Sequence, residues 1–261
     1  MSRIVNPADE TAIAYDVTGQ GPAVVLLHGS ALSKAIWRGL GYVRALAGYT
    51  VVRIDLRGHG RSGKPADVEA YRMPRHTSDM LAVLDAEGIA AAHWVGYSLG
   101  ARVGFAVAAE HPDRAISLTT LGGSHRPQAG QVEALFFPGY LEALRTGRIE
   151  AFVEGFEAAS GSLDPVTRQA FLANDATALA ACFTGTEEDA GLPESRLTTL
   201  TLPALLMAGT RDAKRLADAR RAAELMPHAR AVELTGRTHG TTLVPPGPVL
   251  DELLPFLAAA S

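Results

Sequence analysis

His93-Trp94-Val95-Gly96-Tyr97-Ser98-Leu99-Gly100 is the stretch of this 261-residue chain on which the reading of the fold turns. Its first four residues read as a strand buried on both faces, and residues 99–110 carry apolar side chains at helical spacing. Ser98 therefore falls where a strand gives way to a helix. Small residues two positions to either side, Gly96 and Gly100, let neighbouring backbone come close without Cβ clashes. Unpaired N–H groups at the helix start favour negative charge beside the serine, as a tetrahedral oxyanion requires. This context makes Ser98 a candidate nucleophile. The alternative is a bystander serine in a glycine-rich turn.

The same alternation extends in both directions. Thr11–Val17 alternates as a strand, and Ala23–Leu27, Thr50–Ile54 and Ala115–Leu121 are further apolar or β-prone runs. Segments 34–46 and 75–88 have helical periodicity, as in Ile36, Leu40, Val43 and Ala47. After residue 196 the pattern resumes with strand 202–208, helix 213–226, strand 231–234 and helix 247–259. Strand alternating with helix predicts an α/β fold with a mostly parallel sheet. Residues 126–196 interrupt it with helical character and hold six of the eight Phe, at 136, 137, 152, 156, 171 and 183. The expected division is a core of residues 1–125 and 197–261 with a helical cap at 126–196. The cap aromatics either line an apolar pocket or pack among themselves.

A serine needs a base, and the base needs an acceptor on its second ring nitrogen. Of eight histidines, His239 in Gly236-Arg237-Thr238-His239-Gly240 follows the last expected strand and so reaches the same sheet edge as Ser98. His125, just beyond strand 115–121, is the alternative, and His59 is a further candidate for the cleft. Asp212 ends strand 202–208 and is the expected acid; Asp55, which ends strand 50–54, is its rival. The glycine- and arginine-rich loop after Asp55 suits a carboxylate that caps backbone N–H groups or pairs with an arginine. His28-Gly29-Ser30 follows strand 23–27, where a loop offers a backbone N–H, expected from Ser30, to complement that of Leu99 in an oxyanion hole. The His28 ring is expected to bond nearby backbone. Candidate pocket positions are His28, Gly29, Tyr97, His125, Phe136 and Phe137.

Composition narrows the classes. The chain is 47% hydrophobic and 20% charged, which supports a sizeable core. A net charge of −4 without a Lys/Arg block excludes nucleic acid as an expected partner. Cys182 stands alone, so no internal disulfide forms. No secretory signal or membrane span is read, and a cytoplasmic enzyme acting on a small molecule is expected. No metal cluster, phosphate loop or dinucleotide fingerprint is present, so no metal and no cofactor are expected. Oligomeric state is open.

Ser98, Asp212 and His239 in that order, with His28-Gly29 upstream and Asp55-Leu56-Arg57-Gly58-His59-Gly60-Arg61-Ser62 between, resemble the α/β-hydrolase superfamily. The chain is most similar to its small esterase, enol-lactonase and cofactor-free haloperoxidase-like members, from residue 11 to 257 except the insertion. The resemblance implies an eight-stranded, mostly parallel sheet and a serine hydrolase of esters or lactones. A serine nucleophile argues against epoxide hydrolase and haloalkane dehalogenase chemistry, which in this superfamily use aspartate. Three departures stand out: the helix begins directly after Asp212, Arg237 and Thr238 precede His239 where small residues are usual, and Ser30 makes the mouth of the site more polar. Alternatives are the same triad used for perhydrolysis or carbon–carbon bond hydrolysis, or a slow-turnover ligand receptor.

Overall fold

In the computed structural model, which describes residues 2–260, eight strands form one sheet. They are β1 (Ser2–Val5), β2 (Ala12–Thr18), β3 (Ala23–Leu27), β4 (Thr50–Ile54), β5 (Ala92–Tyr97), β6 (Ala115–Leu121), β7 (Ala204–Gly209) and β8 (Ala229–Leu234). Their order is β1-β2-β4-β3-β5-β6-β7-β8. The pairs β1–β2 and β2–β4 are antiparallel and the other five are parallel. The chain runs from β3 out to β4 and then crosses to the other side of β3 to make β5. That reversal opens a crevice beyond the carboxyl ends of β3 and β5.

Period-2 alternation divides the apolar side chains between the two faces. Val25, Leu27, Ile54, Trp94 and Leu206 pack with α3 (Met73–Ala86), α4 (Leu99–Glu110) and α10 (Ala213–Leu225) through Met80, Val83, Val103, Val107 and Leu216. Val24, Leu26, Val51, Val95 and Met207 instead meet Trp37 of α1 (Ala35–Gly39), Tyr42 of α2 (Tyr42–Ala45), and Val249, Leu253 and Leu257 of α11 (Gly247–Ala260). The expected helix over 34–46 is two short helices, because Gly41 takes φ +85° between them. Strand β1 has no counterpart in the sequence reading. It is an edge strand with three of four residues exposed, so it carries no burial pattern to read.

Between β6 and β7 lie α5 (Tyr140–Arg145), α6 (Ile149–Ser160), α7 (Pro165–Leu172), α8 (Ala176–Glu187) and α9 (Glu194–Leu197). Asp164 and Asp175 cap α7 and α8 by accepting from backbone N–H groups of their first turns. Helices α5 to α8 enclose a separate aromatic core in which Phe137, Phe152, Phe171 and Phe183 are buried around Tyr140 and Leu144. Ala31, from the loop after β3, joins this core. The insertion therefore rests on the loop that borders the crevice.

Candidate active site

Ser98 directly follows β5 and stands immediately before α4, with φ +52° and ψ −111°. Such a backbone costs a non-glycine residue on the order of 1–3 kcal/mol and holds the side chain clear of the sheet. Both flanking glycines are required. A Cβ on Gly96 would fall on the carbonyl of Gly100, and one on Gly100 would fall on the carbonyl of Leu27. The turn is fixed by Ser98 N–H donating to Leu121 O at 3.0 Å and Gly100 N–H donating to His28 O at 3.1 Å.

The structure brings the three strand-end residues together. Ser98 Oγ lies 3.0 Å from His239 Nε2, and His239 Nδ1 lies 2.8 Å from Asp212 Oδ2. Asp212 occupies the N-cap position of α10, yet its side chain accepts no backbone bond there, so the carboxylate is spent on the imidazole. The helix does start directly after it. The residues around His239 brace its loop: Thr238 N–H donates to Thr241 Oγ1 at 2.9 Å, Thr242 Oγ1 donates to Thr238 O at 3.1 Å, and Arg237 donates to Thr242 O at 2.6 Å. Tyr97 stacks on the His239 ring at 5.5 Å and donates its hydroxyl to His239 O at 2.9 Å. Burial raises the Tyr97 phenol above its ordinary pKa, which keeps it a neutral donor.

Asp55 is committed elsewhere. It accepts from the backbone N–H groups of Lys34 at 2.8 Å and Arg61 at 3.1 Å, and pairs with Lys34 Nζ at 2.6 Å. Burial alone would raise its pKa, but the neighbouring His28, together with these partners, outweighs burial and holds it below the usual carboxylate range. Its charged partner is thus a lysine, where the sequence suggested an arginine. Arg57 instead clasps Asp79 through two bonds of 2.7 Å.

A cavity of about 20 Å³ borders Ser98, roughly the room one water needs. Ser30, Leu99, Gln128, Leu135, Phe136 and Phe183 contribute to its wall, as do Arg102 and Arg215. The backbone N–H groups of Ser30 and Leu99 donate to no acceptor among the described residues.

Of the expected pocket positions, Phe136 borders the cavity, whereas His28, Gly29, Tyr97, His125 and Phe137 do not. His28 is fully buried, placed 2.8 Å from Gly29 O through Nδ1 and accepting from Leu56 N–H through Nε2 at 3.0 Å. Gly29 packs beneath the Tyr97 ring, and Tyr97 supports His239. Phe137 faces Phe152 inside the insertion. His125 borders a second cavity of about 180 Å³ together with Arg102, Phe105 and Asp189, and makes no bond to Ser98. His59 is likewise buried away from the cleft, 3.0 Å from Arg57 O.

Arg102 and Arg215 were absent from the sequence reading. They fall four residues after Ser98 and three after Asp212, the helical spacings that return a side chain to the same face, so a signal was there to find. Cys182 is buried, which pushes its thiol up to about 12 and leaves it unreactive. Among the described residues no group of three or more His, Cys, Asp or Glu could hold a metal ion, and no helix is long and apolar enough to cross a membrane.

Comparison with known proteins agrees with the fold. Over 95 residues, 36% of this chain, it is 47% identical to "Epoxide hydrolase B" of Mycobacterium tuberculosis. Over 114 residues, 43% of this chain, it is 38% identical to the "Pimeloyl-[acyl-carrier protein] methyl ester esterase" of Aeromonas hydrophila. These matches span 27% and 42% of the relatives' own lengths. The crystal structure of the enol-lactonase from Burkholderia xenovorans LB400 superposes with a TM-score of 0.84 at 24% identity, covering 98% of this chain and 100% of that one, and shows the shared fold. The family model described as "alpha/beta hydrolase fold" matches residues 22–164, more than half of the sequence, and the chain belongs to that family.

Proposed function

We propose that this chain is a serine hydrolase that cleaves an ester or lactone of a small to medium, partly apolar substrate through an acyl-enzyme on Ser98. The observation that carries the reading is the chain of contacts from Ser98 Oγ to His239 at 3.0 Å and on to Asp212 at 2.8 Å. His239 takes the proton as Ser98 Oγ attacks the acyl carbon, then returns it to the leaving oxygen; Asp212 holds the tautomer that leaves Nε2 free to accept. The backbone N–H groups of Leu99 and Ser30 stabilise the oxyanion, at a helix N-terminus whose dipole has the required sign. Water, activated by His239, releases the acid.

Epoxide opening in this family uses an aspartate where this chain has Ser98, so the identity to an epoxide hydrolase is read as shared scaffold. Residues 126–196 act as the cap. The wall it provides through Leu135, Phe136 and Phe183 suits an apolar portion of the substrate.

The test is hydrolysis of an activated ester by wild type and Ser98→Ala. Turnover is expected to fall by on the order of 10⁶. Equal rates would rule the reading out.

A further inference from the structure

The second cavity, of about 180 Å³, shares Arg102 and Ser124 with the wall of the Ser98 cavity but does not include Ser98. Its apolar wall is Met73, Phe105, Ala106 and Leu192. Glu110, an exposed residue, also borders it, so the space opens to solvent there. The loop that closes one side is closely fitted. Leu192 N–H donates to His125 O at 2.7 Å, Gly191 N–H donates to Asp189 Oδ1 at 2.9 Å, and a Cβ on Gly191 would fall on His125 O.

Of the buried polar side chains on this wall, Arg102 and Ser124 are engaged. The Arg102 guanidinium meets Asp189 Oδ2 and the carbonyls of Ser124 and Arg126. Ser124 Oγ donates to Asp218 Oδ2 at 2.6 Å and accepts from Arg126 N–H at 3.1 Å. His125 is not engaged. It is 2% exposed, and neither ring nitrogen has a hydrogen-bond partner among the described residues. Burial lowers its pKa despite the field of Asp218, so at pH 7 the ring is neutral, with one N–H to donate and one nitrogen to accept. A buried polar group left in this state is rare and costly, and a ligand that supplies the missing partner recovers the cost. With no bond to lose, the ring is free to make a half-turn about χ2, which exchanges nitrogen for carbon on each edge.

The rest of the wall offers water nothing to bond, whereas an aromatic ring fills such a space: an apolar cavity of about 150 Å³ takes benzene. We infer that this cavity is a second small-molecule site, which takes a neutral hydroxylated aromatic ring of the phenol class with its hydroxyl donating to His125. The ring packs against Met73, Ala106, Leu192 and Phe105, whose own ring already stands edge-on to His125 at 6.3 Å. Glu110 and Asp189 disfavour an anion, and Arg102, already paired with Asp189, does not call for one. The hydroxyl therefore enters protonated. The site is independent of the role assigned to Ser98.

The test is calorimetry with phenol and toluene, which differ by a hydroxyl for a methyl. Wild type is expected to bind phenol with a Kd of about 1 mM or tighter, and at least about fivefold more tightly than toluene, although toluene is the more apolar molecule. In His125→Leu phenol weakens by about fivefold or more while toluene binds no worse. Leu192→Trp, which fills the space from a partly exposed position, abolishes binding of both. Absence of saturable phenol binding, toluene binding wild type as tightly as phenol, or phenol affinity unchanged in either folded variant overturns the inference. So does a Ser98→Ala variant that weakens phenol as much as His125→Leu does, because the ring would then sit in the other cavity. Should His125→Leu fail to melt cooperatively, the wild-type phenol-to-toluene ratio and Leu192→Trp decide.

Discussion

The carboxyl edge of the sheet and the helices between β6 and β7 hold their parts in place by different means. At the edge, Ser98, Asp212 and His239 end three different strands or the loops after them, and each is fixed by directional bonds: Leu121 O for the serine turn, Gly209 O for Asp212, Tyr97 and Thr238 for the histidine loop. The insertion is held by rings packed on rings, with Phe136, Phe152, Phe156, Phe171 and Phe183 in mutual contact at centroid separations of 4.8 to 6.1 Å. Directional bonds fix geometry to fractions of an ångström; apolar contacts fix volume and leave shape adjustable. In the proposed function, chemistry falls to the edge, and the insertion supplies the apolar wall against which the substrate is selected.

The largest expected effect separates the two acidic candidates. Asp212→Asn should lower kcat by on the order of 10⁴, because His239 loses the acceptor that sets its tautomer. Asp55→Asn should act on stability instead, by roughly 3–5 kcal/mol, since it strands the buried Lys34 ammonium. Steady-state kinetics beside urea melts distinguish them; equal kinetic losses would erase the distinction.

Phe152→Ala tests the other region. The ring is fully buried, and its loss should cost about 3–5 kcal/mol. If the insertion only selects, the variant that remains folded keeps its rate with the smallest activated acetate ester while discriminating less among larger acyl groups.

A smaller effect follows from buried histidines beneath the edge. Burial lowers His59 and His76 to about 3, so the folded chain stays unprotonated where the unfolded chain, with ordinary histidines near 6.5, takes up protons. Their contribution is complete above about pH 6.5 and is lost as pH falls towards 3. By pH 5 the loss amounts to roughly 2 kcal/mol apiece, and thermal melts from pH 7 to pH 5 should show Tm falling accordingly. His76→Gln should flatten that slope. The smallest effect is Tyr97→Phe, which removes one hydrogen bond to the His239 loop and should cost about 1 kcal/mol of stability with a modest fall in kcat.

The same contrast explains what the sequence disclosed. Strands 23–27, 50–54 and 115–121 and helix 99–110 were legible to the residue, because alternation and helical periodicity report burial directly. Strand 202–208 starts two residues later, after Pro203, which cannot donate to a ladder. The edge residues were legible because parallel strands place their carboxyl ends together. Pocket residues were not: register tells which edge a side chain reaches, while the orientation of Phe136 and Phe137 depends on packing within the insertion, and one borders the cavity as the other turns inward. His125 illustrates the same gap, since its place just after β6 is right for the edge and its ring lies in a neighbouring cavity.

The most direct test of the account is intact-mass analysis after treatment with a fluorophosphonate, followed by peptide mapping. The account predicts a single adduct per chain, on Ser98, formed far more slowly in His239→Ala. An adduct on Ser30 or Ser124 in the same cavity wall, or labelling of Ser98 at an unchanged rate without His239, would contradict it.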